Sequence, residues 1–128
     1  ALGLDEALRR AEAYAKAGAD ILFVEAPESE AEMETIGRAF HQPLLANLVE
    51  GGRTPILPRA RLAELGFQIA IHPAAGFLAT AAALEAMYGH IARTGSSLDA
   101  PTPLLDFKRL TEILGFPDVH AFERRWAE

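Results

Sequence analysis

The sequence predicts an α/β chain in which parallel strands alternate with helices. Three short apolar runs carry that prediction: residues 20–25 (Asp-Ile-Leu-Phe-Val-Glu), 44–47 (Leu-Leu-Ala-Asn) and 67–72 (Phe-Gln-Ile-Ala-Ile-His). Each is short enough to be one buried strand, and each ends in a polar side chain. Helical periodicity fills the stretches between them, and strands joined through helices pair in parallel βαβ units. Two architectures satisfy this order: a three-stranded piece of a doubly wound sheet, or a segment of a (β/α)8 barrel. A complete barrel takes about 250 residues. The chain has 128, less than half of that. An open piece of barrel leaves strand edges and an apolar flank uncovered, which predicts oligomerisation or a preceding segment of chain.

The elements follow in order. Leu4-Asp5-Glu6-Ala7-Leu8 opens a helix with Asp5 as its N-cap, Leu8, Ala11 and Ala15 at helical spacing, and Gly18 as its stop. The first strand, rich in β-formers over Ile21, Leu22, Phe23 and Val24, follows the Gly18-Ala19-Asp20 turn. Ser29 caps a second helix, with Glu32 completing a capping box and Met33, Ile36, Gly37 and Phe40 on the inner face. Gln42-Pro43 breaks that helix before the second strand. A glycine-rich loop, Glu50-Gly51-Gly52-Arg53-Thr54-Pro55, leads to a short helix near 59–65, which Gly66 ends before the third strand. Residues 74–93 read as one long alanine-rich helix, alanine being the strongest helix former. Its stripe Leu78, Ala82, Glu85 and Met87 reads as packing. A linker over 95–105, with its polar, proline-containing stretch at 96–103, separates the βα units (1–94) from a tail (106–128). The tail has two amphipathic helices, 106–114 and 118–126, parted by Gly115-Phe116-Pro117.

Composition narrows the function classes. Half of the residues are hydrophobic and 23% are charged, the balance of a globular chain. The net charge is −6 with no basic patch, which argues against nucleic acid as a partner. The absence of cysteine removes disulfides, thiolate metal sites and thiol nucleophiles, and fits a cytoplasmic location. Asp5, Arg9, Arg10 and Glu12 interrupt any signal-like N-terminus, and His72, Pro73 and Glu85 interrupt the most apolar stretch, so no membrane role is expected.

In a parallel α/β sheet ligands sit at the carboxyl ends of the strands, where Glu25, Asn47 and His72 point at one shared mouth. A carboxylate buried there costs several kcal/mol unless paired. Glu25 can accept from a substrate hydroxyl, hold a metal through water, or move a proton; the structural alternative is a helix N-terminal carboxylate or a partner for Arg53. Asn47 offers a donor and an acceptor for a carboxylate or carbonyl; the alternative is that it orders the following loop. Gly51 and Gly52 allow close backbone approach, and Arg53 can grip a carboxylate with two N–H donors; a mobile surface loop is the alternative. His72 is held extended by Pro73, and a lone histidine at a strand end is more often structural. None of His41, His72, His90 and His120 stands at metal-ligand spacing to another.

Several of these segments together resemble one family. They are Gly3-Leu4-Asp5-Glu6-Ala7, Ala17-Gly18-Ala19-Asp20, Phe23-Val24-Glu25-Ala26, Ala46-Asn47-Leu48-Val49-Glu50-Gly51-Gly52-x-Thr54-Pro55, Leu65-Gly66-Phe67 and His72-Pro73. The chain resembles the isocitrate lyase / phosphoenolpyruvate mutase superfamily from end to end. The Asn-x-x-Glu-Gly-Gly-x-Thr-Pro loop is the most specific element, and is similar to that of the branch with methylisocitrate lyase, dimethylmalate lyase and carboxyphosphonoenolpyruvate mutase.

The resemblance implies a (β/α)8 barrel, of which these residues are the last three strands with their helices. It implies a Mg²⁺-dependent lyase that cleaves a C–C bond in a small 2-hydroxy or 2-oxo di- or tricarboxylate through an enolate. Glu25 then matches a catalytic carboxylate near metal and substrate, reaching the ion through water. Asn47 matches an amide that holds a substrate carboxylate, and Glu50, Gly51, Gly52, Arg53 and Thr54 match the loop that closes over it. The family's direct metal ligands, its gating loop and its Arg-Thr-Asp strand have no counterpart in this segment. A homo-oligomer, dimer or tetramer, that exchanges the C-terminal helices is also implied. The alternatives are an oxaloacetate decarboxylase, a member acting on P–C bonds, and a segment that assembles without catalysing.

Overall fold

A computed structural model describes residues 2–127. Its elements, in chain order, are α1 (Leu4–Lys16), β1 (Leu22–Phe23), α2 (Glu30–Ala39), β2 (Leu44–Asn47), α3 (Arg59–Glu64), β3 (Phe67–Ile71), α4 (Ala75–Thr94), α5 (Phe107–Ile113) and α6 (Phe116–Trp126). The three strands lie side by side in sequential order and all run parallel, as predicted.

Local chemistry sets the boundaries. Helix α1 starts at Gly3, with φ 86°, and no side chain caps it. Asp5 is therefore not the N-cap: it lies in the first turn, where its carboxylate meets the positive end of the helix dipole. The helix ends as expected at Gly18, whose φ is 100°. There the Gly18 N–H donates to Ala15 O and the Ala19 N–H to Tyr14 O, each at 3.1 Å, the pattern of a Schellman stop. Ser29 caps α2 by accepting from the Glu32 N–H at 3.2 Å. The return bond differs from a capping box, because Glu32 Oε2 accepts from the Glu28 N–H instead, at 2.6 Å. Helix α6 begins two residues before the predicted 118: Pro117 sits in its first turn, where no N–H is required.

Strand β1 is shorter than the predicted 20–25. Only Leu22 and Phe23 pair with Leu44 and Leu45, and Ala26, at φ 58°, turns the chain soon after. Between β2 and β3 the register slips once, because Leu44 faces Phe67 while Leu45 faces Ile69. The skipped residue, Gln68, compensates with its side chain, whose Oε1 accepts from the Leu44 N–H at 2.8 Å.

The chain divides within α4 into two compact units, Ala1–Ala81 and Ala82–Glu128. The core lies in the first. Leu22, Leu44, Ala46 and Phe67 of the strands pack with Met33 and Ile36 of α2 and Leu62 and Leu65 at α3. The opposite face of the sheet is bare within this chain: Phe23 is 49% exposed and Ile71 40%. An uncovered apolar flank is what an open piece of barrel is expected to leave. No described residue of helix α4 is fully buried: of the stripe expected to pack, Leu78, Ala82 and Glu85 are exposed and Met87 is half-buried. In the second unit Phe107, Leu114, Phe122 and Trp126 remain exposed.

Candidate active site

Parallel pairing carries the three polar strand ends to one end of the sheet. Asn47 closes β2 opposite Ile71, and His72 follows directly. Phe23, the last paired residue of β1, is level with Leu45, and Glu25 follows two residues on, beyond the pairing. All three therefore stand toward the end of the sheet that the sequence singled out, though they do not line one cleft.

Their surroundings differ from the expectation. Glu25 is exposed, because β1 has already ended and Ala26 turns away. The penalty of a buried carboxylate does not apply to it in this chain, nor does pairing with Arg53. Arg53 Nη1 instead donates to Glu28 Oε1 at 3.0 Å. Asn47 is the opposite case. Its Oδ1 is buried without a hydrogen-bond partner, a loss of about 1–3 kcal/mol unless something donates to it. His72 is exposed.

The loop after β2 is tight at its centre. The Gly52 N–H donates to Val49 O at 2.9 Å, and Gly51 holds a φ of 74°. A Cβ at Gly52 would lie 2.9 Å from that same oxygen, so glycine is the residue that permits the turn. Glu50, Gly51, Gly52 and Arg53 are exposed, and Thr54 is buried at the loop's exit.

A cleft of about 460 Å³ opens at this end, with Glu6 and Arg10 of α1, Glu25, Glu28, Glu32 and Arg53 on its walls. It unites Glu25 and Arg53, but Asn47 and Thr54 do not line it. His72 borders a second cleft of about 570 Å³ with Arg59, Gln68 and Phe67. The first cleft sets these carboxylates and guanidiniums among apolar residues such as Leu4, Ala7, Val24 and Pro27, a mixed lining in which a few charged groups can orient a ligand. Two hydrogen bonds from Arg9, at 2.7 Å each, hold the Glu6 carboxyl below the ordinary carboxylate range. Sequence reasoning passed over Glu28, and read Glu32 only as a capping residue. The Glu28–Arg53 contact spans 25 residues, and no periodic pattern announces such a pair. Among the described residues no group of three or more histidine, aspartate or glutamate side chains is arranged to hold a metal ion.

Comparison with known proteins agrees with this architecture. Residues 1–92 match the family model of phosphoenolpyruvate phosphomutase. The chain is 36% identical over 125 residues to 2,3-dimethylmalate lyase of Eubacterium barkeri, covering 98% of this chain and 43% of that protein. It is 34% identical to 2-methylisocitrate lyase of Bacillus subtilis, over 98% of this chain and 42% of the relative. Among solved structures, oxaloacetate acetylhydrolase with its product oxalate superposes with a TM-score of 0.88 at 26% identity, over 100% of this chain and 44% of that one. The chain spans about two fifths of the length of the curated relatives it matches. Its three parallel strands and their helices are the carboxyl-terminal part of a (β/α)8 barrel. By the match over residues 1–92, the chain belongs to the phosphoenolpyruvate phosphomutase family.

Proposed function

We propose that this chain is the substrate-orienting part of a Mg²⁺-dependent lyase that cleaves a C–C bond in a small 2-hydroxy or 2-oxo di- or tricarboxylate through an enolate. The observation that carries the reading is Asn47: a buried amide oxygen left without a partner at a strand end, in a chain of this family. An unsatisfied buried acceptor is a cost that a bound ligand can relieve, which is how a site gains both affinity and selectivity. The likeness to 2,3-dimethylmalate lyase supports the substrate class.

Roles follow from the chemistry of each group. Glu25 accepts a hydrogen bond from the substrate hydroxyl or from a water on the metal. Asn47 orients the substrate, its Oδ1 accepting from a hydroxyl or, with the amide turned over, its N–H donors meeting a carboxylate; the Arg53 guanidinium orients a carboxylate, and Glu50, Gly51, Gly52 and Thr54 form the loop that shields them from water. The described residues do not by themselves make a Mg²⁺ site. The ion's ligands and the proton-transfer group are assigned to residues outside this chain, which leaves binding and orientation to the residues within it. The exposed apolar side chains of α5 and α6 support a homo-oligomer, dimer or tetramer, with exchanged tail helices. No described helix is long and apolar enough to cross a membrane; together with the absence of cysteine this supports a cytoplasmic enzyme.

The test uses the full-length protein, assayed with 2,3-dimethylmalate and 2-methylisocitrate. One of the two should be turned over. Asn47→Ala should then lower kcat/KM by about ten- to a hundredfold, the worth of one hydrogen bond to a charged group. Full activity in a folded Asn47→Ala variant refutes the reading.

A further inference from the structure

Arg53 reaches the wall of the first cleft already paired, to Glu28. The two stand 25 residues apart in the chain, Glu28 just before the N-cap of α2 and Arg53 on the glycine-rich loop. Glu28 is fixed through its own backbone, whose N–H donates to Glu32 Oε2 at 2.6 Å. Glu32 is fixed in turn, because its N–H donates to Ser29 Oγ at 3.2 Å. The backbone at Arg53 follows the turn closed by the Gly52 N–H on Val49 O at 2.9 Å, but its side chain is held only by Glu28 among the described residues. Arg53 follows two exposed glycines, one of them at φ 74°. The contact is single, Nη1 to Oε1, and a guanidinium carries five N–H donors. Donors therefore remain for a second acceptor in the cleft that Arg53, Glu25 and Glu28 share.

We infer that Glu28 is a positioning residue: it tethers Arg53, and with it the loop over residues 50–54, to the N-terminus of α2, and leaves the guanidinium able to meet a substrate carboxylate. This rests on the reading of Arg53 as a carboxylate-binding residue. The tether is weak. Both side chains are largely exposed, at 74% and 60%, so water and salt compete for the pair and its effect is limited to up to about fivefold. A tether of that strength holds the loop in register without locking it.

Two measurements on the full-length protein separate the tether from the binding role. The first needs no substrate: trypsin must capture the Arg53 side chain to cut the Arg53–Thr54 bond. Glu28→Ala should speed that cut by about two- to fivefold, and the difference should close in roughly 1 M sodium chloride. Glu28→Gln, which keeps an acceptor oxygen, should fall between. The second is kinetic: Glu28→Ala should raise KM for whichever of the two carboxylate substrates is turned over by a similar factor while kcat changes less, and should add nothing in an Arg53→Ala background. Equal cleavage rates overturn the tether whatever the turnover shows. Faster cleavage with KM unchanged overturns the role of Arg53 in binding, and the positioning role with it.

Discussion

Gly37 stands where two backbones cross, and adding one methyl group there should damage the fold. A Cβ on Gly37 would lie 1.8 Å from the carbonyl oxygen of Leu65, 2.9 Å from its carbon and 3.6 Å from the Gly66 Cα. Carbon and oxygen in weak contact keep about 3.3 Å apart, so α2 and the end of α3 would have to separate by roughly 1.5 Å. The obstacle is backbone, and no rotamer change relieves it. Met33 and Ile36 on α2 and Leu62 and Leu65 beside them are nearly or fully buried, so the separation would open the centre of the core. Overpacking costs about 1–3 kcal/mol, and this contact belongs at the upper end. Alanine returns about 1 kcal/mol of helix propensity, which leaves Gly37→Ala near 2 kcal/mol less stable. For a chain of this size that is a fall in melting temperature of about 6–10 °C. Gly89→Ala supplies the contrast: its Cβ would meet only the flexible end of Arg93, at 3.4 Å, so it should raise the melting temperature. Thermal unfolding followed by circular dichroism reads both. A Gly37→Ala protein as stable as wild type would mean that α2 and α3 do not cross at this glycine.

In the full-length protein, Glu25→Gln should leave circular dichroism unchanged and cost about ten- to a hundredfold in kcat of the proposed lyase reaction, since it weakens one charge-assisted hydrogen bond; unaltered turnover would remove Glu25 from the site. Deleting residues 104–128 takes away Phe107, Leu114, Phe122 and Trp126, and should lower the oligomeric state seen by light scattering; no change would refute the exchanged tail. Acid should weaken helix α1. Hydrogen bonds from Arg9 to Glu6, and from Lys16 to Glu12, hold both carboxyls below their ordinary value of 4.5. A folded-state value below the unfolded one means stability that is present above the ordinary range and lost as pH falls through the folded value. Melting temperature should therefore drop on acidification, and less so in Glu6→Gln; equal slopes would show that the Arg9 contact is not formed in solution.

The fold was legible where the chain announces itself by period and punctuation. The three apolar runs became three parallel strands because turn residues bound each run and helical repeats separate them. Boundaries were less legible, each for a local reason. Strand β1 shrank because the chain turns at Ala26, with φ 58°, so that only Leu22 and Phe23 pair although β2 continues to Asn47. The Gln68 irregularity was hidden because a polar residue in a strand looks like ordinary alternation. Only the neighbouring strand reveals that its amide answers a backbone N–H at Leu44. Asp5 looked like a cap because it precedes an apolar repeat, yet Gly3, which can take φ 86°, starts the helix earlier.

The site divides along the same line. Its position was legible, since strand order and the polar ends of the runs bring Glu25, Asn47 and His72 to one end of the sheet. Their environments depend on what covers the sheet, and a strand pattern does not carry that. Glu25 is solvated because the chain turns at Ala26, whereas Asn47, two positions beyond Leu45 on the central strand, loses water from its Oδ1. The amide constrains its own use. The buried atom is the acceptor, so the group that meets it must donate a hydrogen bond, as a substrate hydroxyl does and an ionised carboxylate does not. A half-turn of the amide would offer its two N–H donors instead, and then a carboxylate fits. Asn47→Asp separates these cases: it keeps the acceptor and removes the donors. If the site reads the hydroxyl, Asn47→Asp should retain much of the binding that Asn47→Ala loses. If it reads a carboxylate, the two like charges repel and Asn47→Asp should bind worse than Asn47→Ala.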